Sequence, residues 1–216
     1  MADMRERYEA QLRELHAQII RMGEMIQRAI LSAVSALRVH EEATARAVIA
    51  GDEEIDRQEK TIESLCLRLL MMEQPVATDL RRVSAALKVI TDMERIGDHA
   101  ADLGELTLML RGAPGIGADD LGDMANKTCG MLLDSVTAFV SEDAEKARAV
   151  IAADDEVDAL FLKVKADVVQ AIRSDVDAGE EAADLLMAAK YFERIGDHAT
   201  NIAEWAVFAA TGRHED

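Results

Sequence analysis

The heptapeptide ERIGDHA occupies residues 94–100 and occurs again, unchanged, at 193–199. A second echo lies upstream of each copy. ARAVIA at 45–50 runs on as GDEEID to residue 56, and ARAVIA at 147–152 runs on as ADDEVD to residue 158. The upstream copies are offset by 102 residues and the downstream copies by 99. Two matches in the same order at nearly the same offset mark an internal duplication. The smaller second offset removes three residues, most simply from a shorter connection at 174–179.

The repeated unit reads as helical. The 216 residues include two Pro and only 3% aromatics, against 50% hydrophobic residues. Strand-forming alternation is scarce, and apolar residues recur at helical spacing, as at Leu80, Val83, Leu87, Ile90 and then Ile96. Breaks fall at Pro75 in MEQPVATD and at Pro114 in RGAPGIGADD. Weaker breaks fall near His40, at Ser141 as an N-cap, and in SDVDAG at 174–179. Helices are therefore expected near 4–38, 42–72, 76–111, 119–139, 142–174 and 179–211. The expected fold is all-α: two pseudo-symmetric antiparallel three-helix bundles. Their bounds are 1–111 and 123–216, joined by a glycine-rich connection at 112–122. Met71, Met72 and Met109 are expected to fill the core. Cys66 and Cys129 form no CxxC pair and are expected to be buried and reduced.

Lys and Arg number 24 and Asp and Glu 42, a formal net charge of −18. So acidic a body repels nucleic acid and anionic membrane surfaces. It favours cations, or basic patches on other proteins. Met1 to Tyr8 lacks the apolar run of a signal peptide, and no window holds 18 apolar residues. A cytoplasmic protein is expected, meeting membranes only through partners.

The repeats also duplicate acid pairs four residues apart: Asp52 with Asp56 and Glu94 with Asp98, then Asp154 with Asp158 and Glu193 with Asp197. Residues so spaced share one helix face. At this acid content, about eight such pairs arise by chance, so one pair alone reads as a solvated face. Their registration says more. Asp56 and Glu94 each lie 19 residues from Pro75, and Asp52 and Asp98 each lie 23 from it. In the second half both pairings centre on 175.5, inside the expected turn. With about 1.5 Å of rise per residue, an antiparallel hairpin sets four carboxylates level in each half. Converging carboxylates repel unless protonated or neutralised, and oxygen-rich sites suit Mg, Ca, Mn or iron. Asp102 and Asn201 extend the stripe by one more turn, and Glu105 and Glu204 add a further shared acid. His99 and His198 point about 100° away, as ligands or as structural residues. Gly97 and Gly196 cost helix stability and leave room for close approach or for a ligand.

KVITDMERIGDHAADLGEL (88–106) and YFERIGDHATNIAEW (191–205) resemble the signature helices of the phosphate transport accessory protein family, PhoU. AGDEEID, AADDEVD and QPVATDLR (74–81) resemble its second helix, fifth helix and first hairpin connection. The resemblance implies two pseudo-symmetric three-helix bundles holding multinuclear iron or zinc clusters. Carried over, the metal residues are Glu94 with Asp98 and Glu193 with Asp197, supported by Asp52, Asp56, Asp154 and Asp158. Asp102 stands where the second half has the more family-like Asn201. The resemblance further implies a protein that restrains phosphate uptake and the phosphate-starvation response; the long amphipathic helices suit a homodimer. It would bridge the ATPase subunit of the phosphate ABC transporter and a sensor histidine kinase. A carboxylate-bridged di-metal enzyme or ferritin-like protein is the alternative. Such proteins use Glu-x-x-His, which neither signature contains, and no serine–histidine or cysteine–histidine constellation is evident. No enzyme activity is expected.

Overall fold

In the computed structural model, residues 2–72, 77–114, 117–175 and 179–214 are described. They form six helices: α1 (Ala2–Val39), α2 (Glu42–Met72), α3 (Ala77–Met109), α4 (Ala118–Ser141), α5 (Ala144–Ser174) and α6 (Gly179–Thr211). No strand occurs among the described residues. The all-α class and helix order agree with the sequence reading. The turn at Pro75, most of the turn at 174–179 and residues 115–116 lie outside the described residues.

One boundary differs. Ser141 is the last residue of α4, and its hydroxyl donates back to the Thr137 carbonyl at 2.7 Å. The N-cap of α5 is Asp143, whose carboxylate accepts from the Lys146 N–H at 3.0 Å. Aspartate caps as well as serine does, and Glu142 turns the chain between them with φ 55°. The break at His40 is a real one. Its φ is 54°, and its Nε2 lies 2.8 Å from the Leu110 carbonyl oxygen, tying the α1–α2 turn to the end of α3.

Within each half, α2 lies on α3 and α5 on α6, with α1 and α4 completing the two bundles. The halves meet where α1 packs on α4 and α3 on α6. Helices α1, α3, α6 and α4 thus ring one continuous apolar core, and α2 and α5 flank it. The α1 contribution is a clean stripe of Ile19, Met22, Ile26 and Ile30, all fully buried. On α3 the buried stripe is Val83, Ala86, Ile90, Met93 and Gly97. Leu80 is exposed and Leu87 only half-buried, so the apolar series expected there ran partly off the core face. Alanine and glycine carry the missing positions and give little hydropathy signal. Met71 and Met109 are 80% and 73% exposed, contrary to expectation, because each sits at the end of its helix. Met22, Met93, Met124 and Met131 are buried fillers. Cys66 and Cys129 are free and buried, and burial pushes both thiols up to about 12.

Helix α2 approaches α3 closely at Gly104. A Cβ there would lie 3.0 Å from the Ala45 carbonyl oxygen and 3.1 Å from Ile49 Cγ1. Backbone yields poorly, so Gly104→Ala should lower stability by about 1 kcal/mol, overpacking outweighing the gain in helix propensity. Gly130 lies mid-helix with nothing within 4 Å of its virtual Cβ. Gly130→Ala should raise stability by about 0.5–1 kcal/mol. Urea titration of both variants checks the pair; equal and positive shifts would contradict the close contact.

Candidate metal centre

Helix α2 supplies Asp52 and Asp56, one turn apart, and α3 supplies Glu94 and Asp98. One carboxylate oxygen each from Asp52, Asp56 and Asp98 lies within 4.8 Å of the others. Gly97 permits this. A Cβ at that position would lie 3.1 Å from Ile55 Cγ2 and 3.3 Å from Asp52 Oδ1. Pressed against α3, Asp52 Oδ1 is shut off from solvent without a hydrogen-bond partner. An unmet buried acceptor costs about 1–3 kcal/mol. Burial foremost, then the charges of Asp98, Asp56 and Asp102, raise the Asp52 carboxyl to about 6. Burial and Asp98 also raise Glu94, against the lowering effect of Arg95. Arg95 lies on the outer edge, 2.9 Å from Asp98 and 3.5 Å from Glu94.

Glu59 belongs to this group and was not among the residues expected. Its carboxyl is raised by burial, then by Glu63 and Asp56, with Lys60 and Arg95 opposing, and its charge raises Glu94 in turn. It follows Asp56 by three residues and Asp52 by seven, a helical spacing that was readable. The repeat hid it, because its counterpart at offset 102 is Phe161.

The second half rebuilds the plan. Helix α5 carries Asp154 and Asp158, and α6 carries Glu193 and Asp197. A Cβ at Gly196 would lie 3.1 Å from Asp154 Oδ1 and 3.4 Å from Val157 Cγ1. Burial, then Asp197, Asp158 and Glu193, raise Asp154 to about 6. Burial and Glu193 likewise raise Asp197, with Lys190 opposing. Yet Asp158 and Asp197 are exposed, and the Lys190 ammonium donates to both oxygens of Glu193. Among the described residues, only the first half brings three carboxylates together.

The outer members of the stripe face elsewhere. Asp102 Oδ2 lies 3.1 Å from His99 Nδ1. The Asn201 amide donates to Asp92 Oδ1 at 3.1 Å, and His198 Nδ1 lies 2.8 Å from that same oxygen. The His99 and His198 rings sit 5.7 Å apart between α3 and α6. The histidines thus occupy the seam between halves, as a 100° turn from the carboxylates requires, and the Asn201 amide reaches the same seam through Asp92.

Six long helices in two like halves, with carboxylates between the second and third helix of each, define a tandem helical-bundle protein with repeated acidic clusters. The PhoU domain model matches residues 19–107 and again 121–206, and the chain belongs to the PhoU family. It is 35% identical over 214 residues to a phosphate-specific transport system accessory protein PhoU homolog of Clostridium acetobutylicum, covering 98% of each chain. A homolog of the same description in Aquifex aeolicus is 34% identical over 203 residues, covering 94% of this chain and 92% of its own. Among solved structures, PhoU from Pseudomonas aeruginosa superposes with a TM-score of 0.90 at 29% identity, over 95% of this chain and 100% of that one. The phosphate transport system regulatory protein PhoU from Streptococcus pneumoniae gives 0.89 at 26% identity, over 97% and 99%. Among the described residues no helix is long and apolar enough to cross a membrane.

Asp52 and Asp154 carry a pH signature. Each titrates near 6 when folded, above its ordinary value of 3.8. A raised carboxyl favours the folded state when protonated, and that contribution is lost as pH rises through the folded value. In chelator, the melting temperature should therefore fall between pH 4.5 and pH 7. Asp52→Asn/Asp154→Asn should flatten that fall. An unchanged slope in the double variant would contradict the burial of these two groups.

Proposed function

We propose that this chain is a cytoplasmic, non-enzymatic regulator of a phosphate-specific transport system, holding a cation between α2 and α3. One observation carries the metal part: oxygens of Asp52, Asp56 and Asp98 converge within 4.8 Å, and Asp52 Oδ1 is buried there without a partner. That donor set fits a hard cation, since oxygen-only sites select Mg, Ca, Mn or iron, and zinc also accepts carboxylates. A bound cation would supply positive charge where the chain has concentrated negative charge. Asp52 and Asp56 would hold it from α2 and Asp98 from α3, with Glu94 and Glu59 at its edge. Asp154, Asp158, Glu193 and Asp197 form the corresponding set in the second half.

The regulatory part draws on the family and on the names of its relatives. Its partners in this reading are the ATPase subunit of the phosphate ABC transporter and a sensor histidine kinase. The net charge of −18 suits basic docking patches on such proteins. The role is negative: the protein restrains phosphate uptake and the starvation response.

Metal analysis of purified protein tests the first part. Wild type should carry iron, zinc or manganese, and Glu94→Ala/Asp98→Ala should lose most of the metal of the first half while staying helical by circular dichroism. Absence of metal from both would sink this reading. Deletion of the gene should derepress phosphate-starvation genes in rich phosphate, and pull-down should recover the ATPase or the kinase. Unchanged expression together with no recovered partner would refute the regulatory part.

A further inference from the structure

The two halves descend from one unit, so a position that differs between their clusters reports a difference in what the clusters do. Two such positions are neighbours in space. Lys190 on α6 corresponds to Thr91 on α3, and Phe161 on α5 corresponds to Glu59 on α2. The Lys190 ammonium lies 5.5 Å from the centre of the Phe161 ring and donates to both oxygens of Glu193. A cation over an aromatic face is attracted to it, and the Glu193 carboxylate completes the seat. Thr91 does none of this: its hydroxyl donates to the Leu87 carbonyl at 3.0 Å. Where the second half has the Phe161 ring, the first has the half-buried Glu59 carboxyl. At these two positions the first half has a carboxyl where the second has a ring, and a hydroxyl where the second has an ammonium. Arg95 and Arg194 correspond in the repeat; Arg95 lies at the outer edge of the first cluster, 2.9 Å from Asp98 and 3.5 Å from Glu94, whereas in the second cluster the cation on Glu193 is Lys190.

We infer that Lys190 is the built-in cation of the second cluster, seated on Phe161 and bound to Glu193, so that the two halves take up metal unequally. This rests on the metal reading of the first cluster. In the first half, Asp52, Asp56 and Asp98 converge within 4.8 Å, and the Arg95 guanidinium meets Asp98 from the outer edge. In the second, the Lys190 ammonium must leave Glu193 before that carboxylate can ligate. The wider exposure of Asp158 and Asp197 agrees with a cluster drawn together less tightly. Lys190 is a positioning residue with a regulatory consequence: it sets the cation concentration at which the second half loads.

The test uses full-length protein stripped with chelator and titrated with Mn²⁺, following heat by calorimetry and free Mn²⁺ by electron paramagnetic resonance. Wild type should show two classes of site. Asp52→Asn/Asp98→Asn should remove the tighter one. A unit charge within 4–6 Å moves proton affinity by about 1–3 units, so the classes should differ by about tenfold or more. Lys190→Thr should tighten the weaker class by a similar factor, and Thr91→Lys/Glu59→Phe should weaken the tighter one. Lys190→Gln, which keeps the chain length and removes the charge, should act as Lys190→Thr does. Circular dichroism checks that each variant is folded. Equal affinities in wild type, or a weaker class unmoved by both Lys190 variants, would overturn the inference and leave the metal reading standing. No binding of Mn²⁺, Fe²⁺ or Zn²⁺ by wild type would instead overturn both.

Discussion

At Gly97 and at Gly196 a helix passes its neighbour so closely that a single added carbon would touch an aspartate oxygen, at 3.3 Å and 3.1 Å. Several unfavourable terms meet there. Each glycine costs about 1 kcal/mol of helix propensity relative to alanine. The approach buries Asp52 Oδ1 without a partner and raises Asp52 and Asp154 to about 6. The neighbouring carboxylates repel. Sequences optimised only for stability avoid such concentrations, and real proteins tolerate them chiefly at functional sites. A cation bound there would offset the repulsion and give Asp52 Oδ1 a partner, and the close approach of glycine to aspartate recurs in both halves.

The fold gives these two crossings a common frame. α3 and α6 carry the clusters on one face and meet each other on the next. Asp98 is followed directly by His99, and Asp197 by His198; the two rings lie 5.7 Å apart. One continuous core runs through both halves. Each cluster is therefore one residue removed from the seam joining it to the other. The seam itself is asymmetric: Asp92 accepts from Asn201 and stands by His198, whereas its counterpart is Tyr191, whose ring lies 5.7 Å from His99.

Much of this was legible in the sequence because duplication supplies an internal control. Repeated ERIGDHA and ARAVIA set the helix order, and equal distances from Pro75 put Asp52 level with Asp98. The convergence of Asp52, Asp56 and Asp98 agrees with that arithmetic. Other features were hidden for physical reasons. The core face of α3 is completed by Ala86 and Gly97, which hydropathy hardly registers. Met71 and Met109 have the right composition for a core but sit at helix ends, where nothing covers them. Glu59 and Lys190 have no like residue in the other half, where Phe161 and Thr91 stand, so the repeat does not mark them. These two lie just outside the repeated words, where the halves differ, and they make the clusters unlike.

The most direct measurement is anomalous diffraction from crystals of the full chain grown with Mn²⁺, collected at the manganese edge. The account predicts a peak between α2 and α3, bounded by carboxylate oxygens of Asp52, Asp56 and Asp98, with Asp52 Oδ1 turned towards it. Fully substituted crystals with no peak between these helices, or with manganese only on scattered surface acids, would contradict it.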